Sequence, residues 1–300
     1  MIVPFDFLNG DLDDIERGLA KVYHTGQNKI WDGREVLNEL FEKYSSKEIK
    51  EAHREPLQNI LSIILWGEYV AWTVSSEMSA QFEELGAKMA AVSQAHDEAR
   101  HFYVMRDYLQ RRLNYKPSPV FGAALFVLRE VSTTNDLAKK LLGMQLMIEP
   151  VAITIFRFLR KSKVDPILDE LLEYYEADEA RHIAVGMKYL PKLIKKMSSW
   201  EKILFVLWQI RMIDGEIRGL KSIEKDLEMI GLNPLDVFEF AEMKQVSCLK
   251  MLSKDMGIGE DMWKPVLKLI RFRKKLAFYP NKEHGTLQKL INSFFEMFKK

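Results

Sequence analysis

Residues 97–101 read Asp-Glu-Ala-Arg-His, and residues 178–182 read Asp-Glu-Ala-Arg-His again, 81 positions later. The repeat extends beyond the pentapeptide. Glu68 in LSIILWGEYVAW (61–72) and Glu149 in LLGMQLMIEPVAITIF (141–156) stand at the same offset, each 30 residues before the glutamate of its own copy. Glu98 and His101, like Glu179 and His182, are three apart, so a helix presents both side chains on one face, about a turn from each other. Glu68 and Glu149 pose the opposite problem. A carboxylate in so apolar a helix costs several kcal/mol to bury unless something cationic compensates it.

Around this repeat, apolar residues recur at helical spacing almost everywhere, while strand-like alternation is scarce, so the chain reads as all-α. Helices are expected at 12–23, 33–44, 47–54, 57–85, 87–113, 120–130, 133–161, 164–190, 199–230, 234–256, 260–277 and 284–298, in one domain over 1–300. The core that carries the repeat falls at about 57–192, with extra C-terminal helices over 199–298. Pro280 to Gly285 is a connection that would let the last helix pack separately. A net charge of +1 with 29% charged residues carries no basic excess, so nucleic acid is not an expected partner. Cys248 is the only cysteine, which excludes an internal disulfide and a cysteine-ligated cluster within one chain and fits a reducing compartment. The start, MIVPFDFLNGDLDD, turns acidic where a signal peptide is basic then apolar, and runs such as ILFVLWQI (203–210) are too short to span a bilayer. The expectation is a cytoplasmic protein that is not integral to a membrane.

One glutamate from each of two helices, with Glu-x-x-His from each of two more, is the ligand set of di-iron and di-manganese carboxylate bundles. Four carboxylates and two imidazoles balance two divalent cations and favour iron or manganese over structural zinc. The expected ligands are therefore Glu68, Glu98, His101, Glu149, Glu179 and His182, around two iron ions, with Mn-Fe and Mn-Mn as other occupants. Each copy also brings an aspartate and an arginine. Asp97 and Asp178 are placed to accept hydrogen bonds from the outer histidine nitrogens, with Arg100 and Arg181 pairing to them. Exposed ion-pair patches are the alternative reading of these four.

The duplicated pattern resembles the ferritin-like di-iron carboxylate oxidase and oxygenase superfamily. DEARH is similar to the motifs of bacterial multicomponent monooxygenase hydroxylases and their relatives, among them the ligand-binding oxidases akin to the ribonucleotide reductase small subunit. The resemblance covers mainly 57–192. It implies an antiparallel four-helix bundle core with additional N- and C-terminal helices, metals midway along it, and O2 as co-substrate for oxidising a small hydrophobic, organic or acyl substrate. It also implies a homodimer. With no dinucleotide-binding glycine fingerprint visible, electrons are expected from an external ferredoxin or flavin reductase. A ferroxidase or iron-handling protein, and a metal-bound scaffold without turnover, are the alternatives, although the helices after 192 exceed what a minimal ferritin needs.

The chain also departs from the resemblance. Met105 stands where a reductase subunit carries its radical tyrosine. Ala71 and Met144 replace a valine-tyrosine crosslink pair, Tyr175 stands where arylamine N-oxygenases place a further histidine, and Ile153 stands where hydroxylases carry a threonine, Thr154 being adjacent. Tyr175, one turn before Glu179, is the candidate catalytic residue, as a redox or hydrogen-bonding group. Leu65, Trp72, Gln145, Leu146, Ile153 and Phe156 are candidates to line a substrate pocket, with Leu61, Ile64, Ala71, Ser75, Leu142 and Ala152 on the same helices. Pro150 is expected to kink its helix or force a π-bulge. Glu176 is an optional extra ligand, and His96 should point to another side. RFRKK (271–275), the dilysine at 195 and the C-terminal lysines offer docking for an acidic electron donor or peripheral contact with an anionic membrane.

Overall fold

The computed structural model describes residues 14–256, 264–278 and 286–296. The first turn expected from residue 12, the Pro280 to Gly285 connection and the terminal Lys299 and Lys300 lie outside the described residues. Among the described residues every regular element is helical: α1 (Asp14–Gln27), α2 (Gly33–Lys43), α3 (Glu51–Gln81), α4 (Leu85–Leu113), α5 (Gly122–Thr133), α6 (Leu137–Gly143), α7 (Glu149–Ser162), α8 (Pro166–Lys196), α9 (Ser199–Ser222), α10 (Glu224–Met229), α11 (Pro234–Met256), α12 (Lys264–Phe278) and α13 (Thr286–Glu296).

The core is the expected ferritin-like antiparallel bundle of α3, α4, α6–α7 and α8. Links as short as 82–84 and 163–165 force α3 against α4 and α7 against α8 in antiparallel pairs. The longer passage through α5 carries the chain from the first pair to the second. Local chemistry sets the ends. Asn114 (φ 49°) closes α4 and Lys163 (φ 52°) closes α7 in the left-handed conformation, Asp136 caps α6 through the amides of Ala138 and Lys139, and Ser198 with Glu201 forms a capping box at the start of α9.

Helix ends shift by up to six residues, as at α8, which runs on to Lys196, and three differences go further. The helices read at 47–54 and 57–85 are one, because Pro56 lies near the start of α3 and costs it a single bond, to the carbonyl four residues back. The helix read at 199–230 breaks at Ile223 into α9 and α10. The helix read at 133–161 starts later, at Leu137, and contains a π-helical stretch, Met144–Ile148, directly before Glu149-Pro150. There the Glu149 amide bonds the Met144 carbonyl, five residues back. Widening the helix at this point accommodates a proline that lacks a donor and whose ring would crowd the carbonyl of a normal turn. Gly186 on α8 lets that helix close on the π stretch, since a Cβ there would lie 2.8 Å from the Gln145 Cβ.

One hydrophobic core runs from Leu19 to Ile270. The α6–α7 stretch, Leu137–Ser162, is the one helix among the described residues long and apolar enough to cross a membrane, and 67% of its most apolar window is buried inside the bundle. The basic run on α12 is partly engaged: Arg273 pairs with Asp214, and Lys274 lies 3.0 Å from Glu242 on α11.

Candidate metal centre

The fold brings Glu68 from α3, Glu98 and His101 from α4, Glu149 from α7, and Glu179 and His182 from α8 together in the middle of the bundle, each 5% exposed or less. Their donor atoms form two groups. Glu68, Glu98, His101 and Glu179 make one; Glu98, Glu149, Glu179 and His182 make the other, with all donors of a group within 4.8 Å of one another. Glu98 and Glu179 belong to both. Glu98 offers one oxygen to His101 Nδ1 at 3.4 Å and the other to His182 Nδ1 at 2.9 Å. Glu179 does the same, at 3.3 and 2.8 Å. Glu68 stands at the His101 end, 3.4 Å from Nδ1, and Glu149 at the His182 end, 3.9 Å from Nδ1. The sequence repeat has become a spatial one.

The supporting residues cross over between the copies. His101 Nε2 lies 3.1 Å from Asp178, and His182 Nε2 lies 3.4 Å from Asp97, so each histidine meets the aspartate of the other copy. Within a helix, turning Nδ1 toward the neighbouring glutamate sends Nε2 across to the next helix. Arg100 bridges Asp97 (2.6 Å) and Asp178 (2.8 Å), and Arg181 bridges the same two (3.0 and 2.6 Å), closing a buried ring of alternating charge. Burial pushes both aspartates up, but the histidines and arginines outweigh it and hold them below the usual carboxylate range. A carboxylate only accepts, so each Nε2 is the donor and each Nδ1 faces the cluster.

Burial lifts Glu68 well above the ordinary carboxyl value, and burial with the charges of Glu179 and Glu98 does the same to Glu149. Burial and Glu179 also push Glu98 up, yet His182 and His101 win and leave it low. Glu179 is low as well, because hydrogen bonding from Glu149 and the two histidines overcome its burial. Burial disfavours charged imidazoles, but the surrounding carboxylates raise both histidines well above their ordinary value. Glu98 Oε2, His101 Nδ1 and Glu179 Oε1 are enclosed and lack hydrogen-bond partners among the described residues. Unsatisfied oxygen and imidazole donors converging on one point, with four carboxylates to balance them, fit two divalent cations.

Tyr175 is buried, but its hydroxyl donates to the His101 carbonyl at 2.7 Å, and its ring lies flat on the His101 imidazole with centroids 4.1 Å apart. Its phenol therefore points at backbone. Glu176 pairs with Arg157 and Arg160 at 2.9 and 3.0 Å, outside the cluster, and His96 is exposed beside Arg100. The Thr154 hydroxyl donates to the Pro150 carbonyl.

The pocket residues need correction. An apolar cavity of about 130 Å³ does adjoin the centre, but it is lined by Ile63, Ile64, Gly67, Ala71, Ile148, Val151 and Ala152 beside Glu68 and Glu149, with α5 and α9 opposite. Leu65, Leu146, Ile153 and Phe156 are core residues, Gln145 bonds Gln94 at 3.2 Å, and Trp72 sits 39% exposed against Phe102. A glutamate on a helix has two flanks. The cavity lies along the one carrying positions four and one before Glu68 and three after it, whereas Leu65 and Trp72 lie on the other.

Three further residues, without a motif in the sequence, belong to the centre and its cavity. Trp31 donates from its indole nitrogen to Asp178 at 2.9 Å under the Arg100 guanidinium. Gln94 donates to Glu98 and Glu149 at 3.2 and 3.1 Å. Glu216 of α9 lines the cavity. Only Gln94 carried a local signal, four residues before Glu98.

No protein-family model and no curated protein sequence matches the chain. Solved structures do match. A protein with aldehyde deformylating oxidase activity from Synechococcus is 15% identical, covering 73% of this chain and 97% of its own with a TM-score of 0.59. An R2-like ligand-binding oxidase with aerobically reconstituted Mn/Fe cofactor is 16% identical over 92% of this chain and 97% of its own, with a TM-score of 0.55. A variant of an R2-like ligand-binding oxidase with Fe/Fe cofactor is 16% identical over 92% and 98%, also at 0.55. At these identities the likeness is one of fold: the chain has the ferritin-like helical-bundle fold of these oxidases.

Proposed function

We propose that this chain is a non-haem di-metal oxidase or oxygenase that uses O2 to oxidise a small, largely apolar substrate. The observation that carries the reading is the pair of donor groups sharing Glu98 and Glu179, each shared carboxylate aiming one oxygen at each histidine. Glu68, Glu98, His101 and Glu179 would hold one metal; Glu98, Glu149, Glu179 and His182 the other. Bound there as Fe-Fe or Mn-Fe, the pair would supply the redox chemistry with O2.

The protein's own part is geometric and electrostatic. Asp97 and Asp178 fix the histidine tautomers, and the arginine ring keeps those aspartates ionised. Gln94 orients Glu149 and Glu98, while burial keeps water from the reacting atoms. The π stretch frees backbone beside Glu149, which gives that carboxylate room to change its mode of binding. An apolar cavity meeting Glu68 and Glu149 suits a hydrophobic substrate. Insertion of one oxygen atom into a C–H bond, with the other leaving as water, takes two electrons and two protons beyond O2. We assign these electrons to an external ferredoxin or flavin reductase.

The test is anaerobic reconstitution with Fe(II), metal counting, and then O2 addition with optical stopped-flow detection and an oxygen electrode. Two metals per chain, and O2 uptake accelerated by apolar substrates, are expected. Two metals with O2 uptake that stops once the iron is oxidised would favour a ferroxidase; two metals with no O2 uptake would leave a metal-bound scaffold.

A further inference from the structure

The cavity beside the centre holds a third carboxylate that the di-metal reading leaves without a role. Among the described residues its wall is apolar apart from Glu68, Glu149 and Glu216, with no lysine or arginine. Glu216 comes from α9, a helix that supplies none of the six cluster residues. Its Oε2 accepts a hydrogen bond from Gln245 at 2.9 Å, and Gln245 also donates to the Met147 carbonyl of the π stretch. Its Oε1 is enclosed and has no hydrogen-bond partner among the described residues. An enclosed carboxylate oxygen without a donor is unfavourable, and a ligand bearing one would relieve it. Burial raises the Glu216 pKa to about 7.

The cavity is also kept open. Gly67 lies in the middle of α3, where glycine weakens a helix, yet a Cβ added there would meet no atom within 4 Å. The side chain that is missing would project into the space directly before Glu68. At about 130 Å³ the cavity approaches the size of engineered apolar cavities that hold benzene, so it admits a group of about six heavy atoms.

We propose that this cavity is the substrate site, a claim that rests on the di-metal reading, and that it takes a compact apolar amine whose ammonium pairs with Glu216 while its hydrocarbon end faces Glu68 and Glu149. An anionic ligand would meet the charge of Glu216 with no lysine or arginine on the described wall to offset it. A pure hydrocarbon would leave Oε1 unsatisfied. A divalent pair neutralises Glu68 and Glu149 and leaves Glu216 as the uncompensated charge on the wall.

The test is calorimetric titration of the anaerobic, Fe(II)-loaded protein with n-pentylamine, 1-pentanol and pentanoate. Pentylamine should bind at least tenfold more tightly than pentanol, and pentanoate should show no saturable binding. Glu216→Gln should lower pentylamine affinity at least tenfold and leave pentanol within twofold. Gly67→Leu, whose Cβ meets no atom within 4 Å and whose branches would occupy the cavity, should abolish binding of both while the protein melts cooperatively. The proposal is overturned if pentanoate or pentanol matches the amine, if Glu216→Gln leaves amine affinity within twofold, or if Gly67→Leu still binds. If Glu216→Gln fails to fold, the ligand series and Gly67→Leu decide the matter alone. Metal counting on the same samples separates the two claims: fewer than two metals with amine selectivity retained refutes the centre, and two metals without amine selectivity refutes only the ligand.

Discussion

Asp178→Asn replaces one oxygen of a carboxylate that accepts three hydrogen bonds, from His101 Nε2 (3.1 Å), Arg100 (2.8 Å) and Trp31 (2.9 Å), and pairs with Arg181 (2.6 Å). The amide is nearly isosteric, so no cavity forms. It instead turns a donor toward donors and changes the buried ring of two aspartates and two arginines from neutral to a net positive charge. Breaking a buried ion pair by removing one partner costs about 3–5 kcal/mol, because the remaining charge stays desolvated. The substitution also releases the His101 tautomer, and loss of such a support typically weakens metal binding by about 10–100-fold. Urea denaturation of the metal-free protein reads the first effect and anaerobic Fe(II) titration the second. Asp107→Asn is the control: its pairing with Arg106 is largely exposed, so a change below about 0.5 kcal/mol is expected. A loss under about 1 kcal/mol for Asp178→Asn, with metal affinity within twofold of the parent, would refute the reasoning.

The metal-free protein should be most stable in mildly acid solution. Glu68 and Glu149 are raised from an ordinary 4.5, and His101 and His182 from 6.5, so the folded state binds extra protons and loses stability as pH rises from those values through the raised ones. Asp97 and Asp178 are lowered from 3.8, so their contribution is complete above that value and is lost as pH falls through the lowered ones. Urea midpoints across pH 3–9 should therefore peak at about pH 4–5 without metal, and Fe(II) affinity should rise with pH as protons are displaced; a flat metal-free profile would contradict both. Gly67→Ala should stabilise the protein by about 0.5–1 kcal/mol, read as a higher melting temperature, because helix propensity improves and nothing obstructs the new Cβ. Tyr108→Phe removes a buried hydroxyl that donates to Asp165 at 2.6 Å and should cost about 1–3 kcal/mol in urea denaturation.

The bundle and its six central residues were legible because they rest on local periodicity. Three-residue spacing puts Glu98 with His101 and Glu179 with His182 on single helix faces, and the matched offset pairs Glu68 with Glu149. Even the π stretch before Pro150 had a covalent cause visible in the sequence. What escaped depends on which helix neighbours which. The exchange of Asp97 and Asp178 between copies requires knowing that α4 and α8 face each other. Trp31 reaches Asp178 across 147 residues of chain. The cavity lies on one flank of Glu68 rather than the other only because α5 and α9 pack there, and Glu216 on α9 carries no motif. Gln94 could have been read from its spacing to Glu98, but a glutamine in a helix is unremarkable until Glu149 arrives beside it.

The central claim is that Glu98 and Glu179 are shared between two metal ions. Anomalous diffraction from crystals grown with Mn(II) tests it most directly. Two peaks about 3.5–4 Å apart are expected, both flanked by Glu98 and Glu179, with Glu68 and His101 at one and Glu149 and His182 at the other. A single peak, or peaks that leave either shared carboxylate bound to one ion alone, would contradict it.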